Sequence, residues 1–394
     1  MEKRIRIAVS AERSSAFGRR FIGGIAEVAE RHPEWELALL EPATIRRKAA
    51  AAYDAWICRV TNAASAAALA ASGRPVVDCL CTNAQSGFAT VRTDAEAIGR
   101  LAAEHLRTLR FVNFAFCGYR RVSFSDRRRD AFAQVLEARG VRPFLYRPPL
   151  RAQNRFGRDF LLGNRLEAPP DAADLAAWLR RLPKPVGVFC CDDLRASQLR
   201  DVCRRLGLAV PDDVAILGVD DDPIYCLFKS PRLSSIDPDG RACGVCAAEA
   251  LAARLAAPGD PPAHRVVPPK GVVMRTSTDV LPGAPAWLAE ACRFIRAHVA
   301  DGISAADVFR HVGYSHTVVE RAFRDTLGQS VLARITETRM DEACRLLKTT
   351  AMPVKQVAAA AGFSSLEYFS RVFVAAKGLS ASAWRRRRTC ATDR

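Results

Sequence analysis

Two carboxylates stand where an α/β protein places ligand-binding groups. Asp192 follows the apolar run VGVFCC (186–191), and Asp220 follows VAILGV (214–219). Both runs read as short buried strands, and open α/β sheets bind ligands at the carboxyl ends of their strands. A carboxylate there can accept paired hydrogen bonds from neighbouring hydroxyl groups. Each Asp also precedes a segment of helical character, so capping that helix is an equal expectation.

A second set of polar side chains lies near the C-terminus. The segment HTVVERAFRDTLG (316–328) places Val318, Val319, Ala322, Phe323 and Leu327 on one helical face. Thr317, Glu320, Arg321 and Arg324 fall off that face and face outward. Upstream lie a helix from Ser304 to His311, with Ser304 as its N-cap, and the turn VGYS (312–315). Gly313 suits a left-handed turn conformation. Helix, short glycine turn and outward-facing second helix make a helix-turn-helix pattern. The pattern recurs 49 residues later: PVKQVAAAA (353–361), the turn Gly362-Phe363-Ser364, then SLEYFSRVFVAAKG (365–378). One such match is weak, because any helical hairpin can mimic it. Two in register are specific. The amphipathic helix Leu332–Leu347 between them can fix their separation. Recognition helices about 34 Å apart can enter successive major grooves on one face of a duplex.

The rest of the chain must position the strand-end carboxylates. Strand-like runs at 5–10, 55–60, 75–80, 111–118, 186–191, 214–219 and 264–274 alternate with helical segments at 18–31, 63–72, 94–109, 126–139, 175–182, 194–206 and 240–256. That alternation predicts parallel sheets covered on both faces, and the number of units predicts two α/β lobes. The stretch TSTDVLPGAP (276–285) has turn-forming composition and reads as a linker. Beyond it the strand signal stops.

Composition bounds the reading. The 394 residues suit two or three domains, and 49% hydrophobic residues can fill sizeable cores. The net charge of +17 favours polyanionic partners. Residues 285–394 carry 17 Lys and Arg against 10 Asp and Glu, so the C-terminal part is the more basic per residue. A genome that uses Arg freely would also raise the charge. No apolar stretch approaches the about 20 residues that span a bilayer, and Ile5–Val9 is too short for a secretory signal. The expected location is therefore cytoplasmic, and the thirteen cysteines are expected as reduced thiols. Cys243 and Cys246 form the C-x-x-C spacing, but no second pair or histidine follows, so a buried helix face is expected there. SAERSSAFGRR after the first strand lacks a dinucleotide-binding glycine pattern. No catalytic set, metal site or cofactor is expected.

The segment RMDEACRLLKTTAMPVKQVAAAAGFSSLEYFSRVFVAAKGLSASAWRR resembles the AraC-type DNA-binding domain, with the match spanning about residues 286–388. The family pattern is R-L-x-x-A-x-x-L-L, I-A-x-x-x-G-F, Y-F-x-x-x-F-[KR] and G-x-[ST]-P-x-x-[FY]-R. Here Met340, Val357, Val374, Ser382 and Trp384 depart from it. By position, the resemblance implies that Thr317, Glu320 and Arg321 meet base edges in one groove, and Glu367, Ser370 and Arg371 in the next. Arg pairs bidentately with guanine, and Glu accepts from cytosine. The run Arg385–Arg388 reads as a phosphate-binding tail or a disordered basic end, with residues 389–394 as a tail.

Residues 183–223, PKPVGVFCCDDLRASQLRDVCRRLGLAVPDDVAILGVDDDP, resemble the sensor shared by LacI-type regulators and periplasmic sugar-binding proteins. The family's R-x-x-[AG]-F arginine matches Arg128, and SAFGRRFIGGIA fits a helix that starts at the cleft with Phe17 and Arg19. The resemblance implies a periplasmic-binding-protein-like sensor of two α/β lobes (1–275), then an all-α domain with two helix-turn-helix units. It implies sugar held by Phe17, Arg19, Arg128, Asp192 and Asp220. The combination resembles bacterial carbohydrate-operon regulators, which implies a pentose such as D-xylose as effector, double-stranded operator DNA, a homodimer and, for an activator, RNA polymerase. A different carbohydrate on the same architecture is the alternative, as is a sugar-binding protein without a regulatory role.

Overall fold

The structure, a computed structural model, describes residues 4–40, 45–60, 62–79, 87–109, 111–149, 171–279, 285–350 and 352–389. The side chains of residues 286, 345, 348, 349 and 386–389 lie outside that description. The chain divides into two compact units, Met1–Pro282 and Gly283–Arg394.

The first unit contains two six-stranded sheets. One has the order β11-β5-β4-β3-β1-β2, built from β1 (Ile5–Ser10), β2 (Trp35–Leu40), β3 (Ala55–Cys58), β4 (Val76–Asp78), β5 (Ala89–Thr93) and β11 (His264–Val267). All its pairings are parallel. The other has the order β12-β10-β9-β8-β6-β7, from β6 (Asn113–Cys117), β7 (Phe144–Leu145), β8 (Val186–Cys190), β9 (Val214–Val219), β10 (Ser234–Asp237) and β12 (Gly271–Val273). Only β12 runs antiparallel in it. Every residue of β8 and of β9 is buried, as continuous apolar runs between two helical layers require. The edge strand β2 has no fully buried position, and Leu37 and Leu39 are exposed in it.

The chain passes between the sheets three times. After β5, helix Ala95–Thr108 packs Ile98 and Leu106 into the second lobe's core with Phe132 and Phe189. After β10, helix Gly240–Ala256 returns to the first lobe and crosses helix Ala16–Ala29. That crossing is a backbone contact: a Cβ on Gly244 would sit 2.0 Å from the Phe21 carbonyl oxygen, and one on Gly24 would sit 2.2 Å from that of Arg241. The third passage corrects the sequence reading. Residues 264–274 are not one strand but two, β11 and β12, in different sheets, because Pro268-Pro269 cannot continue a ladder. β2, β5, β7 and β10 also have no counterpart in the sequence reading.

The linker expectation for 276–285 is corrected at its start. Thr276–Thr278 form a 3₁₀ turn with Ser277 and Thr278 fully buried. Ser277 donates to the Ile216 carbonyl at 2.6 Å and accepts from the Ser234 amide at 2.8 Å. Its polarity, which reads as loop, is spent sealing the second lobe. Cys243 is buried and Cys246 half-buried on one helix.

The second unit is helical throughout its described residues: Ala286–His298, Ala305–Val312, His316–Leu327, Val331–Thr349, Val354–Ala360, Leu366–Lys377 and Ala381–Thr389, with a 3₁₀ turn at Val299–Asp301. Ser304 caps its helix in a reciprocal box with Asp307. Gly313 and Gly362 sit in the two turns at φ 71° and 81°, a conformation costly for any residue with a Cβ. At Gly362 a Cβ would also lie 1.9 Å from the Val299 carbonyl oxygen. Ser315 stands at the N-cap of helix 316–327, but its side chain makes no capping hydrogen bond. Val319 and Phe323 are buried as expected, whereas Val318 is exposed.

Candidate ligand cleft and nucleic-acid interface

A cleft between the two lobes encloses about 940 Å³, part of it open to solvent. Strand ends and helix starts build it. From the first lobe come Glu12, just after β1, Phe17 on helix 16–29 and Arg59, just after β3; from the second come Arg128, Asp192 and Asp220.

Asp192 caps a helix and also lines the cleft. Its Oδ1 accepts the Arg195 amide at 2.7 Å, capping helix Asp193–Arg205, and accepts the Tyr119 hydroxyl at 3.3 Å. It is 5% exposed and lines the cleft. Asp220 lines the cleft with its backbone at φ 109°, a region an L-residue occupies only when its surroundings hold it there. Its neighbour Asp193 is fully buried and accepts from the Asp222 amide and the Ser235 hydroxyl. Burial first, then the Asp220 charge, push the Asp193 carboxyl well above the usual range.

Arg128 is 4% exposed, donates to the Cys191 carbonyl and lies over the Phe124 ring at 5.0 Å. Its Nε is buried without a hydrogen-bond partner among the described residues. Buried donors of this kind are rare unless something else takes them. Phe17 is half-buried in the cleft wall and stacks on Phe21 with ring centroids 6.3 Å apart.

Arg19 is the exception, and the expectation for it is corrected. It is exposed, donates to the carbonyls of Arg13 and Ser14, and does not line the cleft. Arg20 turns toward the second lobe instead and donates to the carbonyls of Asp220 and Asp221 at 3.2 and 3.0 Å. Adjacent helical residues point about 100° apart, so one residue decides which arginine faces inward.

Glu12 and Arg59 are among the cleft residues that had no place in the sequence reading. They form an ion pair at 3.2 Å, with side chains 8% and 16% exposed. Both follow strand ends, so the rule that singled out Asp192 and Asp220 also reaches them when applied to β1 and β3.

In the helical unit, Thr317, Arg321, Glu367, Ser370 and Arg371 are all exposed. The Arg321 side chain is 82% exposed, with Asp325 3.4 Å away one turn on. Arg371 lies over the Tyr368 ring at 5.6 Å. Glu320 differs: its side chain is 15% exposed and sits 3.9 Å from Arg324, whose side chain is 71% exposed. Arg324 is thus the more accessible of the pair. The basic run forms the end of helix 381–389 with Arg385 half-buried, and the side chains of Arg386–Arg388 lie outside the described residues. Trp384 packs edge-on against Phe373 at 5.9 Å, so its departure from the family pattern fits the core.

Arg339, on the long central helix, joins the two halves of this unit. It donates to the Ile303 carbonyl at 2.8 Å, ahead of the first helix-turn-helix, and lies 5.9 Å over Phe363 in the turn of the second.

Residues 103–278 match the periplasmic binding protein-like domain family, and residues 308–387 match a helix-turn-helix domain family. The xylose operon regulatory protein of Escherichia coli (strain K12) is 29% identical over 287 residues, covering 72% of this chain and 70% of that protein. A solved xylose-binding transcription activator superposes over 98% of both chains with a TM-score of 0.66 and 25% identity. The chain has the architecture of a xylose operon regulator. The arabinose operon regulatory protein of Escherichia coli (strain K12) is 41% identical over 97 residues, 24% of this chain and 33% of that protein. A binding-protein-like sensor joined to a helix-turn-helix domain makes the chain a ligand-responsive DNA-binding regulator. Among the described residues, no helix is long and apolar enough to cross a membrane.

Proposed function

We propose that the chain is a cytoplasmic transcription regulator whose sensor binds a pentose, D-xylose foremost, and whose helix-turn-helix units bind an operator of a carbohydrate catabolic operon. The observation that carries the reading is the cleft, where Asp192, Asp220 and Arg128 converge from three different elements around Phe17. Carboxylates and a guanidinium give the paired hydrogen bonds that hold vicinal hydroxyls, and an aromatic ring covers the apolar face of a sugar. The Glu12–Arg59 pair adds a second polar pair on the opposite wall. The pentose is suggested by the relatives, a xylose and an arabinose operon regulatory protein, and by the similar xylose-binding transcription activator.

Thr317, Arg321 and the accessible Arg324 form one reading surface, with Glu320 supporting Arg324. Glu367, Ser370 and Arg371 form the other. Sugar in the cleft favours the closed sensor by its differential affinity for that state. Closure changes operator occupancy in a homodimer and, where the outcome is activation, contact with RNA polymerase.

Calorimetry of the full chain against a panel of pentoses and hexoses tests the effector, and operator binding with and without the bound sugar tests the coupling. D-xylose is expected to bind most tightly and to change operator affinity. A hexose bound in preference would move the reading to another carbohydrate. Sugar binding with no effect on DNA would overturn the regulatory coupling.

A further inference from the structure

Three consecutive aspartates follow β9, and each does something different. Asp220 lines the cleft. Asp221, at φ 47°, holds Arg275 of its own lobe at 2.6 Å, and its carboxylate also faces Arg20 of the other lobe at 3.5 Å. Asp222 is 2% exposed and reaches across the cleft base, where its Oδ2 accepts the Ala16 amide at 2.8 Å. Its Oδ1 accepts the Ile224 amide at 3.1 Å, and its own amide donates to Asp193 at 2.8 Å.

Ala16 opens helix 16–29 of the first lobe, which carries Phe17 into the cleft. First-turn amides have no acceptor within their own helix. Ser15 takes the Gly18 amide at 3.0 Å, and the Ala16 amide is left to a residue 206 positions away on the opposite lobe. The helix is therefore capped from two lobes at once. Rotating the lobes apart strips the Ala16 amide and a buried carboxylate of each other, and also breaks the Arg20 contacts to the Asp220 and Asp221 carbonyls.

We propose that Asp222 is a positioning residue of the ligand cleft: by completing the cap of a helix on the opposite lobe, it clasps Phe17 and Asp220 into their binding arrangement before ligand arrives. Apparent affinity scales with the fraction of molecules already in the competent state, so the clasp raises affinity without touching the ligand. Because the strained Asp220 and the clasping Asp222 share one turn, a ligand on the first reinforces the second. The affinity arm of the proposal rests on the sugar reading above; the clasp itself does not.

The test uses the full chain as wild type, Asp222→Ala and Asp222→Asn, followed by hydrogen–deuterium exchange of peptides without ligand and by calorimetry with D-xylose. In Asp222→Ala, first-lobe peptides covering residues 12–25 should exchange about tenfold faster or more, while β8 and β9 of the second lobe keep their protection. Asn keeps an acceptor oxygen without charge, so Asp222→Asn should fall between wild type and Ala and serves where Ala fails to fold. D-xylose affinity should drop about tenfold in Asp222→Ala, with smaller loss in Asp222→Asn. Unchanged exchange at 12–25 in a folded variant overturns the clasp, as does a wild type whose 12–25 peptides already exchange as fast as the variant's. If wild type binds no sugar, the effector reading falls and the exchange comparison alone still decides the clasp.

Discussion

Tyr119 donates its hydroxyl to Asp192 Oδ1 at 3.3 Å, on the same oxygen that caps helix 193–205. The cap and the cleft position therefore belong to one side chain, and two substitutions separate them. Asparagine caps helices as well as aspartate, so Asp192→Asn should keep thermal stability near wild type. It loses the charge that strengthens hydrogen bonds from a hydroxylated ligand, so effector affinity should fall about tenfold. Asp192→Ala should lose the affinity and about 1 kcal/mol of stability besides. Calorimetry and thermal melts of both variants check this. Wild-type affinity in Asp192→Asn would mean that the carboxylate serves only the helix.

A second carboxylate, Asp171, is fully buried and does not line the cleft. Asp171 and Arg195 form a two-pronged ion pair at 2.6 and 3.1 Å with both side chains fully buried, and the Tyr146 hydroxyl donates to Asp171 at 2.8 Å. Burial alone would raise the Asp171 pKa, but the hydrogen bonds and charge of Arg195 outweigh it and hold the carboxyl below its usual range. Removing one partner leaves the other charge buried and alone. Arg195→Met should destabilise the first unit by about 3–5 kcal/mol. Urea unfolding measures it, and a loss under about 1 kcal/mol would show that water reaches Asp171 in solution.

The contrast between these two aspartates shows what a sequence discloses. Asp192 is legible because it ends a continuous apolar run, and strand ends are where α/β sheets hold ligands. The same logic covers Asp220 and reaches Glu12 and Arg59, although β3 has only 4 residues and β1 is interrupted by Arg6. Asp171 is not legible, because its partner Arg195 faces it only after two helices pack. Strands β5 (ATVRT) and β10 (SSID) carry too few apolar residues to announce themselves; their place is decided by neighbours on both sides. The helix-turn-helix pair is readable from glycine and aromatic spacing, which local backbone geometry imposes. Which lobe each strand of 264–274 joins, and which of Arg19 and Arg20 turns inward, depend on tertiary contacts alone.

The two outward arginines of the helical unit lead to a prediction about specificity. Arg321 and Arg371 occupy corresponding faces of the two second helices, and both are exposed. If each reads a base, Arg321→Ala and Arg371→Ala should each cost about 1–3 kcal/mol on the operator and relax preference at a different base pair. A phosphate contact would instead weaken operator and random DNA alike and lower the salt slope by about one unit. Titrations at several salt concentrations separate the two. Equal losses on operator and random DNA would place these arginines on the backbone.

His105 ties stability to pH in a direction set by burial. It lies on helix 95–108, with Nε2 3.3 Å from the hydroxyl of Thr278 in the buried 3₁₀ turn. Burial disfavours the charged ring and pushes its pKa down to about 4 from 6.5. The folded pKa is then below the unfolded one. Between pH 6.5 and 4 the unfolded chain binds the proton more readily, so unfolding is favoured as pH falls through that window, while above it His105 carries no penalty. At about 1.36 kcal/mol per pKa unit, the loss approaches about 3 kcal/mol at the acid end, less whatever solvent reaches the half-buried ring. His105→Gln keeps a hydrogen-bonding group toward Thr278 and cannot titrate. Its stability should fall less steeply than wild type between pH 6.5 and 4, in urea unfolding of the full chain across that range. Parallel pH curves for the two proteins would mean that His105 protonates as easily folded as unfolded, and that the turn at Thr278 opens to water.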